Sequence, residues 1–242
     1  MKINIVDVGA MGGLQSYWQN VPHVAYLFEP NVEEYKKLKK NLPFNHRLYN
    51  LALSDKEQDL TINICRDPGL SSVYDYDINL IEKYSAKLEK WDIVKQTLIS
   101  SKPLDYFNID ADFIKIDVEG YALSVLMGAD KILNYTIGLE VEVDFMPFKI
   151  NQPLFPKVQE YLFNKGFVLQ NIKQVIRDRI DKNNFSENGY TKSKGGQIIY
   201  GIAFYLRPPE DPVVQIKKEQ SKIIYKTFNK QGYLRVLNEG RS

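Results

Sequence analysis

Two groups of residues in this sequence have the types and spacing to do chemistry. The first is Asp7-Val8-Gly9-Ala10-Met11-Gly12-Gly13, followed 22 residues after Asp7 by Glu29. Glycines in a strand-to-helix turn let backbone come close to a ligand. A carboxylate about 20 residues further on, at the end of the next strand, is placed to take both hydroxyls of a ribose. The second group is acidic: Asp117 and Glu119 run into Gly120, and Glu142 follows one strand later. Neighbouring carboxylates repel, which raises the proton affinity of one of them and suits it to act as a base near neutral pH. The same acids suit Mg²⁺, a hard cation that prefers oxygen ligands; the reading adopted here assigns no metal. Lys115, on the strand that leads to them, reads as structural.

The glycine spacing narrows the nucleoside. Dinucleotide turns follow G-x-G-x-x-G, whereas the glycines here stand at 9, 12 and 13. Asp7 would repel a pyrophosphate but could engage an ammonium group, directly or through water. S-adenosylmethionine carries both an α-ammonium and a ribose, so the pattern favours it over NAD. Tight strand–helix packing is the plainer explanation for such glycines, and Glu29 is what argues against it.

These residues need elements that bring them together. Ile3–Val8, Ala25–Phe28, Arg47–Leu53, Phe113–Val118 and Ile137–Val143 are short apolar runs of the kind buried on both faces of a parallel sheet. Leu60–Cys65 and Ile93–Ile99 alternate as extra strands, and Phe167–Ile172 and Ile198–Leu206 close the set. Between them, Asn31 with Glu34 forms a capping box for a helix that Pro43 stops. The spacing predicts further helices over 78–91, 123–133 and 153–165 and an amphipathic one near the C-terminus. Pro103–Phe107 reads as a helical turn and 177–197 as a polar loop. Alternating strands and helices imply an α/β, doubly wound sheet whose ligands bind beyond the carboxyl ends of the strands. Asp7, Glu29, Asp117 and Glu142 all fall at such ends.

Composition excludes several classes. The chain has 242 residues, 32 basic and 30 acidic side chains, and one cysteine, Cys65. It can form no internal disulfide and no Cys-rich zinc site, and with only His23 and His46 it offers little histidine chemistry. Residues 1–172 carry a net charge of −5 and residues 173–242 one of +7. The basic helix near the end, with Lys217, Lys218, Lys222 and Lys226, reads as a surface or dimer helix, which leaves a homo-oligomer open. The longest apolar run, Ile198 to Leu206, is well short of the ~20 residues a bilayer span requires. Asn4 and Asp7 interrupt any signal-peptide core. The expectation is a cytoplasmic protein with no membrane and no nucleic-acid partner.

Asp7-Val8-Gly9-Ala10, Phe28-Glu29-Pro30-Asn31, Ile114-Lys115-Ile116-Asp117-Val118-Glu119-Gly120 and Gly128-Ala129, in this order, resemble the FkbM-type methyltransferases. Glu140-Val141-Glu142-Val143-Asp144-Phe145 and Gly166-Phe167 continue the match. The resemblance implies a single-domain class I methyltransferase fold, Rossmann-like, with a seven-stranded, mostly parallel sheet and an antiparallel last strand. It implies S-adenosylmethionine as methyl donor and O-methylation of a hydroxyl on a sugar or small metabolite. The methyltransferase domain is expected over 1–210, with an insertion at 66–100 between the third and fourth core strands and a helical extension over 211–242. Carried over by position, Asp7, Gly9 and Ala10 would line the methionine side of the cofactor. Glu29 would hold ribose with Pro30 beside it, and Ala52 and Leu53 would flank adenine. Asp117, Glu119 and Glu142 are the candidates for catalysis at the methyl end. Met11 stands where the family usually has Asn, and Ala122 and Ser124 stand where it often has Glu. Those departures support the alternative of an inactive nucleoside-binding relative that serves as an interaction module. Tyr74, Tyr76, Tyr84 and Trp91 could form an aromatic wall for the acceptor, with Ser71 and Ser72 bonding to it; core packing and a turn are the plainer roles.

Overall fold

The structure, a computed structural model, describes residues 1–84, 87–178 and 196–239. In chain order its elements are β1 (Ile3–Val8), β2 (His23–Phe28), α1 (Val32–Lys40), β3 (Arg47–Tyr49), β4 (Ala52–Leu53) and β5 (Gln58–Cys65). Then come α2 (Ile78–Tyr84), β6 (Ile93–Lys102), β7 (Phe113–Ile116), α3 (Ala122–Met127), α4 (Asp130–Leu133) and β8 (Gly138–Asp144). The chain continues through α5 (Phe155–Asn164), β9 (Val168–Asp178) and β10 (Gln197–Leu206) to α6 (Pro212–Ile216), α7 (Lys218–Thr227) and α8 (Gln231–Glu239).

Seven strands form the central sheet in the order β3-β2-β1-β7-β8-β10-β9. β1 pairs in parallel with β2 and β7, β7 with β8 and β2 with β3, while β10 runs antiparallel to both of its neighbours. This is the doubly wound sheet with an antiparallel last strand that the sequence implied. Strand order reverses between β1 and β7, so a crevice opens beyond their carboxyl ends.

The alternation within each strand divides the core. Val6, Val8, Ile114, Ile116, Leu139 and Val141 face α3 and α5 and pack with Val125, Leu126 and Leu162. Ile3, Ile5, Phe113 and Phe204 face the other way, onto Trp18, Val214, Ile224, Tyr225 and Leu237. The helices after residue 211 therefore cover one face of the main sheet. Both faces of β1 and β7 are buried, which is why both strands are mostly apolar.

Three expected elements divide. The strand expected over 47–53 breaks at Asn50, whose side-chain amide donates to the carbonyls of Glu29 (2.9 Å) and Pro30 (3.1 Å). The chain then leaves the main sheet, and β4 joins a second sheet in the order β4-β6-β5. The helix expected over 78–91 becomes α2 and a 3₁₀ turn at Leu88–Trp91. The one over 123–133 becomes α3 and α4 around Gly128, where a Cβ would lie 1.9 Å from the Ser54 carbonyl oxygen. Of the loop expected over 177–197, residues 179–195 lie outside the described residues. No helix among the described residues is long and apolar enough to cross a membrane.

Candidate active site

A cleft of about 900 Å³ opens at the carboxyl ends of β1, β2, β7 and β8, with one face of the second sheet as its outer wall. Gly9, Glu29, Pro30, Ala52, Leu53, Asp117, Glu119 and Glu142 all line it. Asp7 and Ala10 do not line it and are wholly buried.

The turn after β1 is held from beneath. Gly9 has φ of 74°, and a Cβ at that position would lie 1.8 Å from the carbonyl oxygen of Asp117. The glycine is therefore required by the end of β7, a tighter constraint than the ligand approach expected of it. The Lys115 ammonium sits below, 3.1 Å from the Gly9 carbonyl, 3.1 Å from an Asp7 oxygen and 3.4 Å from an Asp117 oxygen. Asp7 thus faces Lys115 as an ion pair, without a well-directed hydrogen bond, and cannot meet a ligand's ammonium. Its expected role on the cofactor's methionine side is corrected to a support under the turn. Burial pushes the Asp7 carboxyl up to about 6, with Lys115 pulling the other way. Burial opposes the charge on Lys115 too, but Asp7 and Asp117 outweigh it and raise its pKa. Ala10 packs against Ala25 and Leu27 instead of lining the cleft.

At the end of β2, the Glu29 carboxylate accepts from the backbone N–H of Asn31 at 2.8 Å. The Asn31 side chain caps α1 by accepting from the N–H groups of Glu33 (2.9 Å) and Glu34 (3.3 Å). In the expected capping box Glu34 would reach back to Asn31. Glu29 occupies that position, and Glu34 pairs with Lys37 at 2.6 Å. One oxygen of Glu29 is fixed in this way, so its carboxylate is oriented within the cleft. Burial raises its pKa to about 7, with the Asn31 bond acting against the rise.

The acidic group assembles after β7. Glu119 and Gly120 have φ of 48° and 92°, so the chain turns sharply there. Ser72 donates its hydroxyl to the Glu119 carbonyl at 2.7 Å, and Glu142 accepts from the Glu119 N–H at 3.2 Å. Carboxylate oxygens of Asp117, Glu119 and Glu142 lie within 4.8 Å of one another. Lys149 is buried behind them, 3.2 Å from Glu119 and 3.8 Å from Asp144. Burial pushes Glu119 up to about 7, with Lys149 lowering it and Asp144 and Asp117 raising it again. Burial raises Glu142 well above the usual carboxylate range, and the charges of Glu119 and Asp117 add to the effect. The spacing of the three acids would suit a hard cation, yet Lys149 already brings a positive charge to this group.

The suggested aromatic wall goes elsewhere. Tyr76, Trp91 and Tyr84 pack with Cys65 and Phe148 in a separate core under the cleft's rim. Tyr74 lies beside Tyr121, ring centroids 5.8 Å apart, and it is Tyr121 that lines the cleft. Lys149 and Tyr121 escaped the sequence reading. The surroundings of Lys149 are built by segments distant in the chain.

The family model for the Methyltransferase FkbM domain matches residues 7–169. The chain belongs to this family. It is the family whose resemblance implied S-adenosylmethionine as methyl donor. The oriented carboxylate of Glu29 at the second strand end is the feature of this cleft that fits the donor's ribose. Among solved structures, the chain is similar to methyltransferase FkbM from Methylobacillus flagellatus KT (13% identity, TM-score 0.47). The alignment covers 85% of this chain and 44% of that one, so the chain spans under half the length of that relative. An rRNA methylase from Streptococcus thermophilus aligns at 9% identity and a TM-score of 0.40, covering 85% of this chain and 88% of that one. M. jannaschii TYW2 in complex with AdoMet aligns at 15% identity and a TM-score of 0.32, covering 84% and 68%. No curated protein matches the chain by sequence.

Proposed function

We propose that this member of the FkbM family is an O-methyltransferase acting on the hydroxyl of a small molecule, with residues 1–210 as its methyltransferase domain. The supporting observation is the set of carboxylates of Asp117, Glu119 and Glu142, within 4.8 Å of one another in the cleft that also holds Glu29. Glu29 would accept from the ribose hydroxyls, with Pro30, Ala52 and Leu53 beside the nucleoside. When bound, S-adenosylmethionine supplies an electrophilic methyl group. The acceptor oxygen would take that methyl, the sulfur keeping the electron pair of the bond that breaks. Its proton passes to one of the carboxylates, with Glu119 the best placed because its proton affinity lies near neutral. The acids also hold the acceptor in line, the larger part of the task in a displacement of this kind.

Calorimetric titration with S-adenosylhomocysteine tests the cofactor half. Binding is expected, and Glu29→Ala should weaken it by roughly 1.5–3 kcal/mol through lost charge-assisted bonds. Tight binding of NAD with no response to S-adenosylhomocysteine would overturn the reading.

A further inference from the structure

The wall of the cleft made by the second sheet has a chemistry of its own. Leu60 pairs with Ile99, Ile62 with Thr97 and Ile64 with Lys95. Residues directly opposite in a ladder share a face, and all six line the cleft. The aliphatic ones are partly exposed there. Ala52 pairs with Ser101 on the same sheet. With a strand rise of ~3.3 Å per residue, Thr97 lies about 13 Å along β6 from the presumed adenine end. The outer pairs thus lie farther along the sheet than the presumed adenine end. Asn63, between Ile62 and Ile64, exchanges backbone bonds with Ser72 at 2.8 and 3.2 Å. Ser72 in turn donates to the Glu119 carbonyl. This ties the aliphatic face to the residue expected to take the acceptor's proton.

Three of the polar side chains nearby are already engaged. Ser71 accepts from the Cys65 N–H at 3.1 Å, Ser72 is held by Glu119, and Asn50 by two carbonyls. These three side chains therefore offer little to a polyol. Among the described residues, the charged side chains that line the cleft are the acidic Glu29, Glu33, Asp117, Glu119 and Glu142 and the basic Lys95. That balance repels a polyanion.

We propose that the acceptor is an uncharged alcohol with an aliphatic body, lying against Ile62, Ile64 and Thr97 with its hydroxyl at Glu119. The inference rests on the methyltransferase reading and narrows it. It is tested by equilibrium binding of 4-butylcyclohexanol, methyl glucoside and a short single-stranded RNA to the protein saturated with S-adenosylhomocysteine. The alcohol should bind at least about tenfold more tightly than either of the others, the scale set by burial of a few methylenes. Ile62→Asn should weaken its binding about tenfold, with S-adenosylhomocysteine affinity unchanged, and Ile62→Val should restore most of the loss. Ile64→Asn provides the same reading should the first variant fail to fold. Tighter binding of glucoside or RNA, binding of none of the three, or wild-type affinity in a folded asparagine variant overturns the assignment. Repeating the assay with S-adenosylmethionine separates the two claims. An alcohol that binds but is never methylated sinks the O-methyltransferase reading and leaves the wall assigned; methylation of the glucoside alone does the reverse.

Discussion

Two of the lysines buried among carboxylates, Lys115 and Lys149, stand behind the candidate site, and they are placed by different means. Lys115 lies within β7, where the ladder fixes its neighbours: Asp7 stands opposite it on β1 and Glu140 opposite it on β8. Its ammonium ties the turn after β1 to the end of β7. Lys149 lies outside regular structure, between β8 and α5. It forms an isolated bridge with Tyr76, while the Asp77 N–H bonds to the Phe148 carbonyl (2.9 Å) and the Ile150 N–H to the Asp75 carbonyl (2.8 Å). The segment between β5 and α2 therefore holds Lys149 against Glu119. The floor of the cleft is built into the central sheet, and its acidic end is assembled from three separate stretches of chain. On the function proposed above, the floor gives support and the acidic end carries the chemistry, a division that substitutions can break.

The largest effect is expected at the acidic end. Asp117→Asn or Glu119→Gln should lower turnover by about 10²-fold or more, with S-adenosylhomocysteine affinity within a few-fold of wild type. Parallel kinetics and calorimetry provide the check. If both variants lose the cofactor, the carboxylates belong to the floor; if neither loses turnover, they have no part in the reaction.

A smaller effect separates the lysines. Lys149 lowers the proton affinity of Glu119 against burial and the neighbouring acids. Without it the Glu119 pKa rises further, and less of the base is ionised at neutral pH. Lys149→Met should move the rise of turnover with pH upward by about one unit, roughly a tenfold loss near pH 7 that recovers at higher pH. Lys149→Arg should keep most of the wild-type profile. Lys115→Met should leave that profile in place and weaken cofactor binding through the loosened Gly9 turn. A Lys149→Met enzyme that is slower at every pH by one constant factor would show a structural role only.

The same division explains what the sequence made legible. The floor depends on neighbours in a parallel sheet, so apolar runs ending in Asp7, Glu29 and Asp117 located it without coordinates. Its inner detail was hidden, because nothing in the sequence distinguishes a carboxylate that faces a ligand from one that faces a buried lysine. Asp7 was misread for that reason. The acidic end was legible as residues but not as an arrangement. Asp117 and Glu119 are near in sequence, whereas the contact with Lys149 depends on how residues 66–92 fold over the strand ends. The alternation in β5 was plain, but only the position of the second sheet shows that its aliphatic face meets the cleft.

The weakest effect concerns Asp7, and it appears in stability. Its folded-state pKa is raised from 3.8 to about 6, so the folded protein holds this proton more tightly than the unfolded chain does. The stability that goes with the bound proton is fully present below the unfolded pKa near 4 and is lost as pH rises through about 6. Above that range the wild type carries a buried charge that Lys115 only partly offsets, at a cost on the order of 1–3 kcal/mol. Asp7→Asn removes the titration and leaves Lys115 its contact with Asp117. Glu29, raised to about 7, titrates with the same sign in a neighbouring range. The informative quantity is therefore the difference between variant and wild type at each pH. Thermal melts should show that difference moving in favour of Asp7→Asn by a few degrees between pH 4 and pH 8. A difference that stays constant over this range would mean that Asp7 does not titrate there, and the floor would then hold a fully ionised pair.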